Sequence, residues 1–304
     1  MTDPRTVLIT GGTGSLGYRT AAAILDAGRH VVITGRDSET VAAAANRLGD
    51  NAVGLPLDLG SLDSVRRFAG AITRSGLPPL HAIVCNAGMQ IVSGTTFTAD
   101  GFEQTFGVNH LAHFLLVQEL LPLLATPGRI VFVASDTHDP KKPTGMPAPN
   151  YTSALALAYP EADDAAAGAA GRRRYTTSKL CNVLTTYELA RRLGDETPPP
   201  ITVNAFDPGL MPGTGLGRDY PGIQRLAWRF LLPAMTLVPG LNIHTPRRSA
   251  AALARLVLDP ALAGTTGRYF SGRREIRSSD ESYDADLAAD LWNTSVELIE
   301  KVRH

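Results

Sequence analysis

Apolar residues fall into two alternating patterns along the chain. Short runs rich in β-branched residues, "TVLIT" (6–10), "HVVIT" (30–34), "AVGLPLD" (52–58) and "LHAIVCN" (80–86), are each followed by a longer stretch with helical spacing, at 15–27, 38–48, 61–74 and 101–121. The order continues through "RIVFVAS" (129–135), a helix carrying "YTTSKLCNVLTTYELARRL" (175–193), "ITVNAFDPG" (201–209), a helix at 246–258 and a last apolar segment at "GRYFSG" (267–272). Runs that are apolar nearly throughout have no polar face, so both of their sides are buried. Such strands separated by helices predict a doubly wound α/β fold: a parallel sheet of about seven strands with helices on both faces.

Composition does not shift along the chain and no repeat appears, so residues 1–304 read as a single domain. Two segments break the alternation, 136–174 and 210–245, both rich in Pro, Gly or Ala. Each follows the carboxyl end of a strand, where open α/β sheets bind ligands, and irregular stretches of that length are usually functional. The most apolar late stretch, 222–243, is interrupted by Arg225, Arg229, Pro233 and Pro239. That pattern describes a lid or packed loop and not a membrane span, which needs about twenty mostly apolar residues.

Charge and cysteine content narrow the function classes. Lys plus Arg equals Asp plus Glu at 29 each, so no global field attracts nucleic acid or an anionic membrane. Cys85 and Cys181 both sit in apolar runs and read as free core thiols in a reducing compartment. The N-terminus passes directly into a strand without an export signal. The expected location is cytoplasmic.

"VLITGGTGSLG" (7–17) is a strand, a glycine-rich turn and a helix start, the arrangement that brings a backbone close to a pyrophosphate. Gly11, Thr13, Gly14, Ser15, Leu16 and Gly17 are the candidates there. At the end of the second strand an acidic residue would bond the ribose 2′-hydroxyl of NAD, and a basic one would accommodate the 2′-phosphate of NADP. Gly35 stands where the acid is expected and Arg36 follows, which favours NADP, while Asp37 keeps NAD open.

Further motifs follow in a fixed order: "CNAG" (85–88), "VNHLAHFLL" (108–116), Ser135, "YTTSK" (175–179) and "DPG" (207–209). Together with the glycine turn they resemble the short-chain dehydrogenase/reductase family over nearly the whole chain. "DPGLMPGTGL" and "DADLAADLWNTSVELI" resemble the branch of the retinol dehydrogenases and protochlorophyllide reductases. Two departures stand out. Leu210 follows the Pro-Gly pair where protochlorophyllide reductases carry a cysteine, which argues against the photochemical reaction; Ser15 stands where the branch has a glycine, with Gly14 before it.

The resemblance implies a Rossmann fold and places the family's catalytic four on Asn109, Ser135, Tyr175 and Lys179. It also implies adenine contact at Asp58 and its neighbour Leu59. Asn86, Ala87 and Gly88 would lie beside the cofactor, with Tyr175 and Lys179 at its nicotinamide end. The segment from Pro208 and Gly209 onward would cover the nicotinamide. Family members often form dimers or tetramers, and this branch includes monomers.

The chemistry needs these residue types. Carbonyl reduction leaves charge on oxygen, which must receive a proton, and a free tyrosine at a pKa of about 10 is a sluggish donor. A lysine one helical turn away supplies positive charge that favours phenolate. Ser135 would donate a hydrogen bond to the substrate oxygen, and Asn109 would hold a water linking Lys179 to solvent. His110 and His113 imitate a metal pair but lack a third ligand, and no metal is expected. Arg172, Arg173 and Arg174 read as a solvated face, with contact to an acidic substrate or to phosphates as the alternative.

The expected activity is NADPH-dependent hydride transfer to or from a mostly apolar ketone, aldehyde or alcohol. Two other readings stay open: reduction of a conjugated C=C bond or a redox-neutral rearrangement, and a non-catalytic NADP-binding regulator.

Overall fold

A computed structural model describes residues 5–161, 167–194, 200–211 and 242–302 of the chain. The lid or loop read at 222–243 lies almost wholly outside the described residues.

The first half alternates as expected: β1 (Thr6–Ile9), α1 (Ser15–Asp26), β2 (His30–Gly35), α2 (Ser38–Leu48), β3 (Ala52–Pro56), α3 (Leu62–Arg74) and β4 (Leu80–Cys85). A helical segment follows in three pieces: α4 (Gln104–Phe106), a π turn (Gly107–Leu111) and α5 (Ala112–Leu120). β5 (Leu124–Val133) leads through α6 (Ala154–Ala158) to the long α7 (Ala167–Arg192). β6 (Ile201–Asp207), α8 (Pro246–Leu258), β7 (Arg268–Ser271), β8 (Arg274–Ile276) and α9 (Ala285–Lys301) complete the described chain.

The strands form one sheet of 8, in the order β3-β2-β1-β4-β5-β6-β7-β8. All pairings are parallel except the last, where β7 turns through Gly272 and Arg273 into antiparallel β8. The pattern-based expectation of about seven strands missed β8 because its three residues, Arg-Glu-Ile, carry no apolar run.

Apolar character on both strand faces has a direct structural cause. Leu8, Val32, Ile83 and Ile130 face one core, shared with α3, α5, α7 and α9. Their neighbours Val7, Ile9, Val31, Ile33, Ala82, Val84, Val131 and Val133 face the other, shared with α1, α2 and α8. Each such side chain contributes about 1.5–3 kcal/mol when fully buried, so a one-residue slip of β1 or β4 is strongly disfavoured. Caps set several helix starts: Asp37 accepts from Thr40 N–H, Ser61 from Ser64 N–H, and Asp284 from Asp286 and Leu287 N–H.

The segment 136–174 is less irregular than its composition suggests. It contains α6 and the first turns of α7, where Ala-rich sequence simply propagates the helix of "YTTSK" backward. Tyr151 pins it to the C-terminal helix by donating its hydroxyl to Asp290 at 2.6 Å.

Candidate active site

The chain leaves β1 toward β2 and β3, then crosses back to place β4 on the other side of β1. That reversal opens a crevice at the carboxyl ends of β1 and β4. Thr10 sits there: its Oγ1 accepts the backbone N–H groups of Asn86 and Ala87, both at 2.9 Å, and Asn86 Nδ2 donates back to the Thr10 carbonyl at 2.8 Å. The hydroxyl is also 2.8 Å from His113 Nε2. His113 Nδ1 is 3.2 Å from the Asn109 carbonyl oxygen, which can only accept, so Nδ1 carries the proton and Nε2 receives the Thr10 hydrogen. Burial pushes the His113 pKa down to about 4 and keeps the ring neutral.

The glycine turn presents an open helix end. Gly14 holds the N-cap position of α1 in extended geometry without a side-chain cap, so the first N–H groups of the helix remain available to an anion. A Cβ on Gly17 would stand 2.5 Å from the Gly11 carbonyl oxygen and 2.8 Å from Asn86 Nδ2, so only glycine lets the helix begin against the turn. Ser15 is the first, exposed residue of α1 and does not obstruct this end.

Gly11, Thr13, Gly14, Ser15, Leu16 and Gly17 line one end of a cavity of about 1550 Å³. Arg36, Asp58 and Leu59 line its flank, and Asn86, Ala87 and Gly88 its middle. Ser135, Tyr175, Lys179, Pro208 and Gly209 stand at the far end. The structure therefore gathers every expected site residue on one wall except Asn109. Asp37, the alternative ribose partner, is occupied as the cap of α2, and the Thr40 hydrogen bonds hold its carboxyl below the usual range.

Lys179 is 3% exposed, donates Nζ to the Val133 carbonyl oxygen at 3.0 Å, and lies 5.5 Å from the centroid of the Tyr175 ring. Burial pushes its pKa down to about 8, opposed by the charge of Asp207. An ammonium so placed still predominates at neutral pH.

Asn109 stands behind the cavity lining, next to Gly88. It is fully buried and does not reach the cavity; its Oδ1 accepts from Met89 N–H at 2.8 Å, and its Nδ2 donates to Met89 O and Ser178 Oγ at 2.9 and 3.0 Å. The side chain clamps the loop after β4 to the helix carrying Tyr175. The π turn around it aims this residue, as single π turns do at many functional sites.

Ser135 extends β5 into the wall, with its hydroxyl 3.3 Å from Asp136 Oδ1. The cavity lining also includes the apolar Met89, Val108, Met146, Leu210, Met211 and Ile243, beside charged Lys142, Arg248 and Arg273. Arg174, read as part of a solvated run, is instead 13% exposed: it donates to Gly94 O and pairs at 3.6 Å with buried Glu103. His110 and His113 serve separate hydrogen bonds, to Ser295 and Thr10. Among the described residues no three His, Cys, Asp or Glu side chains group to hold a metal, and no helix is long and apolar enough to cross a membrane. Cys85 and Cys181 are free and buried.

Residues 5–154 match the sequence model described as short chain dehydrogenase. Protochlorophyllide reductase A, chloroplastic, of Oryza sativa subsp. japonica is 34% identical over 96% of this chain and 80% of its own. The chain belongs to the short-chain dehydrogenase/reductase family. Short-chain dehydrogenase iccH of Talaromyces variabilis is 32% identical over 97% of this chain and 96% of that protein. Among solved structures, the Pseudomonas aeruginosa RhlG/NADP active-site complex superposes with a TM-score of 0.64 at 26% identity, covering 88% of this chain and 93% of that one.

As a short-chain dehydrogenase/reductase, the protein is a nicotinamide-dependent oxidoreductase with a Rossmann sheet. The residues fit the cofactor: the uncapped α1 and the space at Gly17 suit a pyrophosphate, and the cavity is long enough to reach Lys179. Sequence reading missed Asp136, Asp207 and Asn242, whose side chains meet at the far end. Asp207 was visible within "DPG", whereas nothing in the sequence marks Asn242.

Proposed function

We propose that the protein is an NADPH-dependent carbonyl reductase or alcohol dehydrogenase acting on a mostly apolar small molecule, with Asn109, Ser135, Tyr175 and Lys179 as its working residues. The observation that carries this reading is the placement of Lys179: buried, cationic, bonded to the end of the strand that continues to Ser135, and one helical turn from Tyr175.

When bound, the reduced nicotinamide supplies hydride. Tyr175 donates a proton to the substrate oxygen, and the Lys179 ammonium favours the resulting phenolate. Ser135 Oγ donates a hydrogen bond where negative charge develops on that oxygen. Asn109 keeps the loop with Gly88 and Met89 against the tyrosine helix. Arg36 on the cavity flank, with Asp37 committed to its cap, supports NADPH over NADH. The apolar lining residues from Met89 to Ile243 support a mostly apolar substrate.

A second reading, reduction of a conjugated C=C bond, is favoured by the extended likeness to protochlorophyllide reductases. An enone panel with NADPH, followed by product mass and NMR, separates the two: saturation leaves the ketone, and carbonyl reduction yields an alcohol. Tyr175→Phe is expected to lower carbonyl turnover by about 10²–10⁴ while NADPH still binds. Unchanged turnover in that variant would remove the assignment.

A further inference from the structure

Three segments of the chain converge on one side-chain amide beside the reacting end. Asn242 Nδ2 donates to Asp136 Oδ2 at 2.8 Å and to Asp207 Oδ2 at 2.7 Å. An amide nitrogen carries two hydrogens, so each carboxylate takes one. Asp136 immediately follows Ser135, and Asp207 ends β6 immediately before Pro208 and Gly209. Asp207 is 1% exposed and accepts two more bonds, from Gly209 N–H at 2.8 Å and Ser271 Oγ at 3.0 Å.

The stretch that carries Asn242 is itself locked to the turn after β6. Leu210 N–H donates to Asn242 O at 2.7 Å, His244 N–H donates to Leu210 O at 2.9 Å, and Leu210 and Ile243 form a parallel bridge. A Cβ on Gly209, where φ is +71°, would stand 2.7 Å from His244 Cδ2 and 2.8 Å from Asn242 O. Only glycine fits there, and the hydrogen bond from Leu210 N–H to Asn242 O passes a shift of Asn242 to the backbone beside Gly209.

We propose that Asn242 is a positioning residue: its one amide, shared between Asp136 and Asp207, fixes the turn bearing Ser135 relative to the turn bearing Pro208 and Gly209. It thereby sets the spacing between the hydroxyl that meets the substrate and the backbone that meets the nicotinamide. This rests on the cofactor reading of the cavity given above. The amide is suited to the task because it is a neutral double donor. An aspartate there would add a third carboxylate, and a leucine would leave two carboxylates facing each other, one of them buried.

The remaining groups around the pair do not replace it. From α7, Lys179 carries the nearby positive charge, but its Nζ is bonded to Val133 O. From β7, Tyr269 is buried with its pKa pushed far up by desolvation and then by Asp207 and Asp136. His138 and Asp139 face Asp136 from its own turn, and His138 is tied to Ser135 O and Ser279 N–H. His244 faces Asp136 from the stretch before α8, beside Arg248, and desolvation pushes its pKa down.

Loss of the amide therefore deepens the dependence of the site on pH. Burial, then the charge of Asp136, already pushes the Asp207 pKa up to about 6, and the Asn242 bond works against that rise. Without that bond the folded pKa climbs further above the unfolded value. An acid raised in this sense binds more protons folded than unfolded, so stability falls as pH rises from the unfolded pKa through the folded one. Within that window the Asp207 proton can bridge to Asp136 and hold the turns together; above it the two side chains repel.

The test measures NADPH affinity by calorimetry, and melting of the protein without NADPH, from about pH 5.5 to about pH 8.5. It compares the natural protein, Asn242→Leu, and Asn242→Leu combined with Asp136→Asn. Asn242→Leu is expected to bind NADPH within about threefold of the natural protein at the acid end and about tenfold more weakly at the alkaline end, the equivalent of one pKa unit. Its melting-temperature deficit should widen over the same range. Removing the Asp136 charge with Asp136→Asn should shrink both pH trends to the part that burial of Asp207 causes. A ratio that stays constant with pH, or a trend that Asp136→Asn leaves undiminished, overturns the proposal. If the natural protein binds no NADPH, the cofactor reading fails by itself, and the melting-temperature trends still decide whether Asn242 holds the two turns.

Discussion

The Lys179 ammonium donates to the carbonyl oxygen of Val133 at 3.0 Å, two residues before Ser135. This bond joins the helix of the candidate acid to the strand of the candidate oxyanion donor, across the 40-residue interval (175 − 135 = 40) that separates Tyr175 from Ser135. It also places the ammonium where its charge state governs the phenol.

That placement predicts an alkaline limit on carbonyl reduction. The Lys179 pKa is pushed down to about 8 by burial, and the ammonium form is lost as pH rises through that value. The pH profile of kcat/KM should fall with an apparent pKa near 8. Asp207→Asn removes the charge that opposes the depression, so the limb should move to lower pH. A limb that stays in place would separate Asp207 from Lys179.

Arg36 and Asp37 predict cofactor choice. Arg36→Ala is expected to weaken NADPH by about tenfold, the loss of one charged contact of about 1.5–3 kcal/mol partly offset by solvent, and to leave NADH nearly unchanged. Titration with both cofactors measures it. Equal loss for the two would show that Arg36 does not meet a 2′-phosphate.

Gly17→Ala predicts loss of the cofactor without loss of the fold. The added methyl would meet the Gly11 carbonyl oxygen and Asn86 Nδ2, so the turn must open by an ångström or more where the pyrophosphate is expected. NADPH affinity should drop by at least about tenfold while the circular dichroism spectrum is retained. Retained affinity would place the dinucleotide elsewhere.

Thr10→Val predicts a stability effect with a known origin. The hydroxyl accepts two backbone N–H groups, from Asn86 and Ala87, and a valine leaves both without that acceptor. The expected cost is about 1–3 kcal/mol in urea unfolding, the usual penalty for stranded donors. Thr10→Ser keeps the acceptor and should recover most of it.

Much of the site was legible because its residues answer to local rules. The glycine turn is set by one strand-to-helix junction, and Tyr175 and Lys179 by one helical turn. Both survive any change in the rest of the fold. The eighth strand was not legible, since Arg-Glu-Ile pairs through its backbone and carries no periodic signal. The helical start of α7 was hidden for the opposite reason: Ala and Gly there resemble loop composition, yet the helix packed downstream against β5, β6 and α9 propagates backward through the alanines.

The sequence by itself determined the doubly wound order and the family, and named the residue types to expect at the site, because periodicity and short motifs are written within ten or twenty consecutive residues. The tertiary structure decided what those residues touch. It withdrew Asn109 from the cavity and made it a clamp, turned His113 into a neutral link between Asn109 and Thr10, and gathered Asp136, Asp207 and Asn242. Such contacts join positions as far as 106 residues apart, and only the packing of strand ends around the crevice brings them within hydrogen-bonding distance.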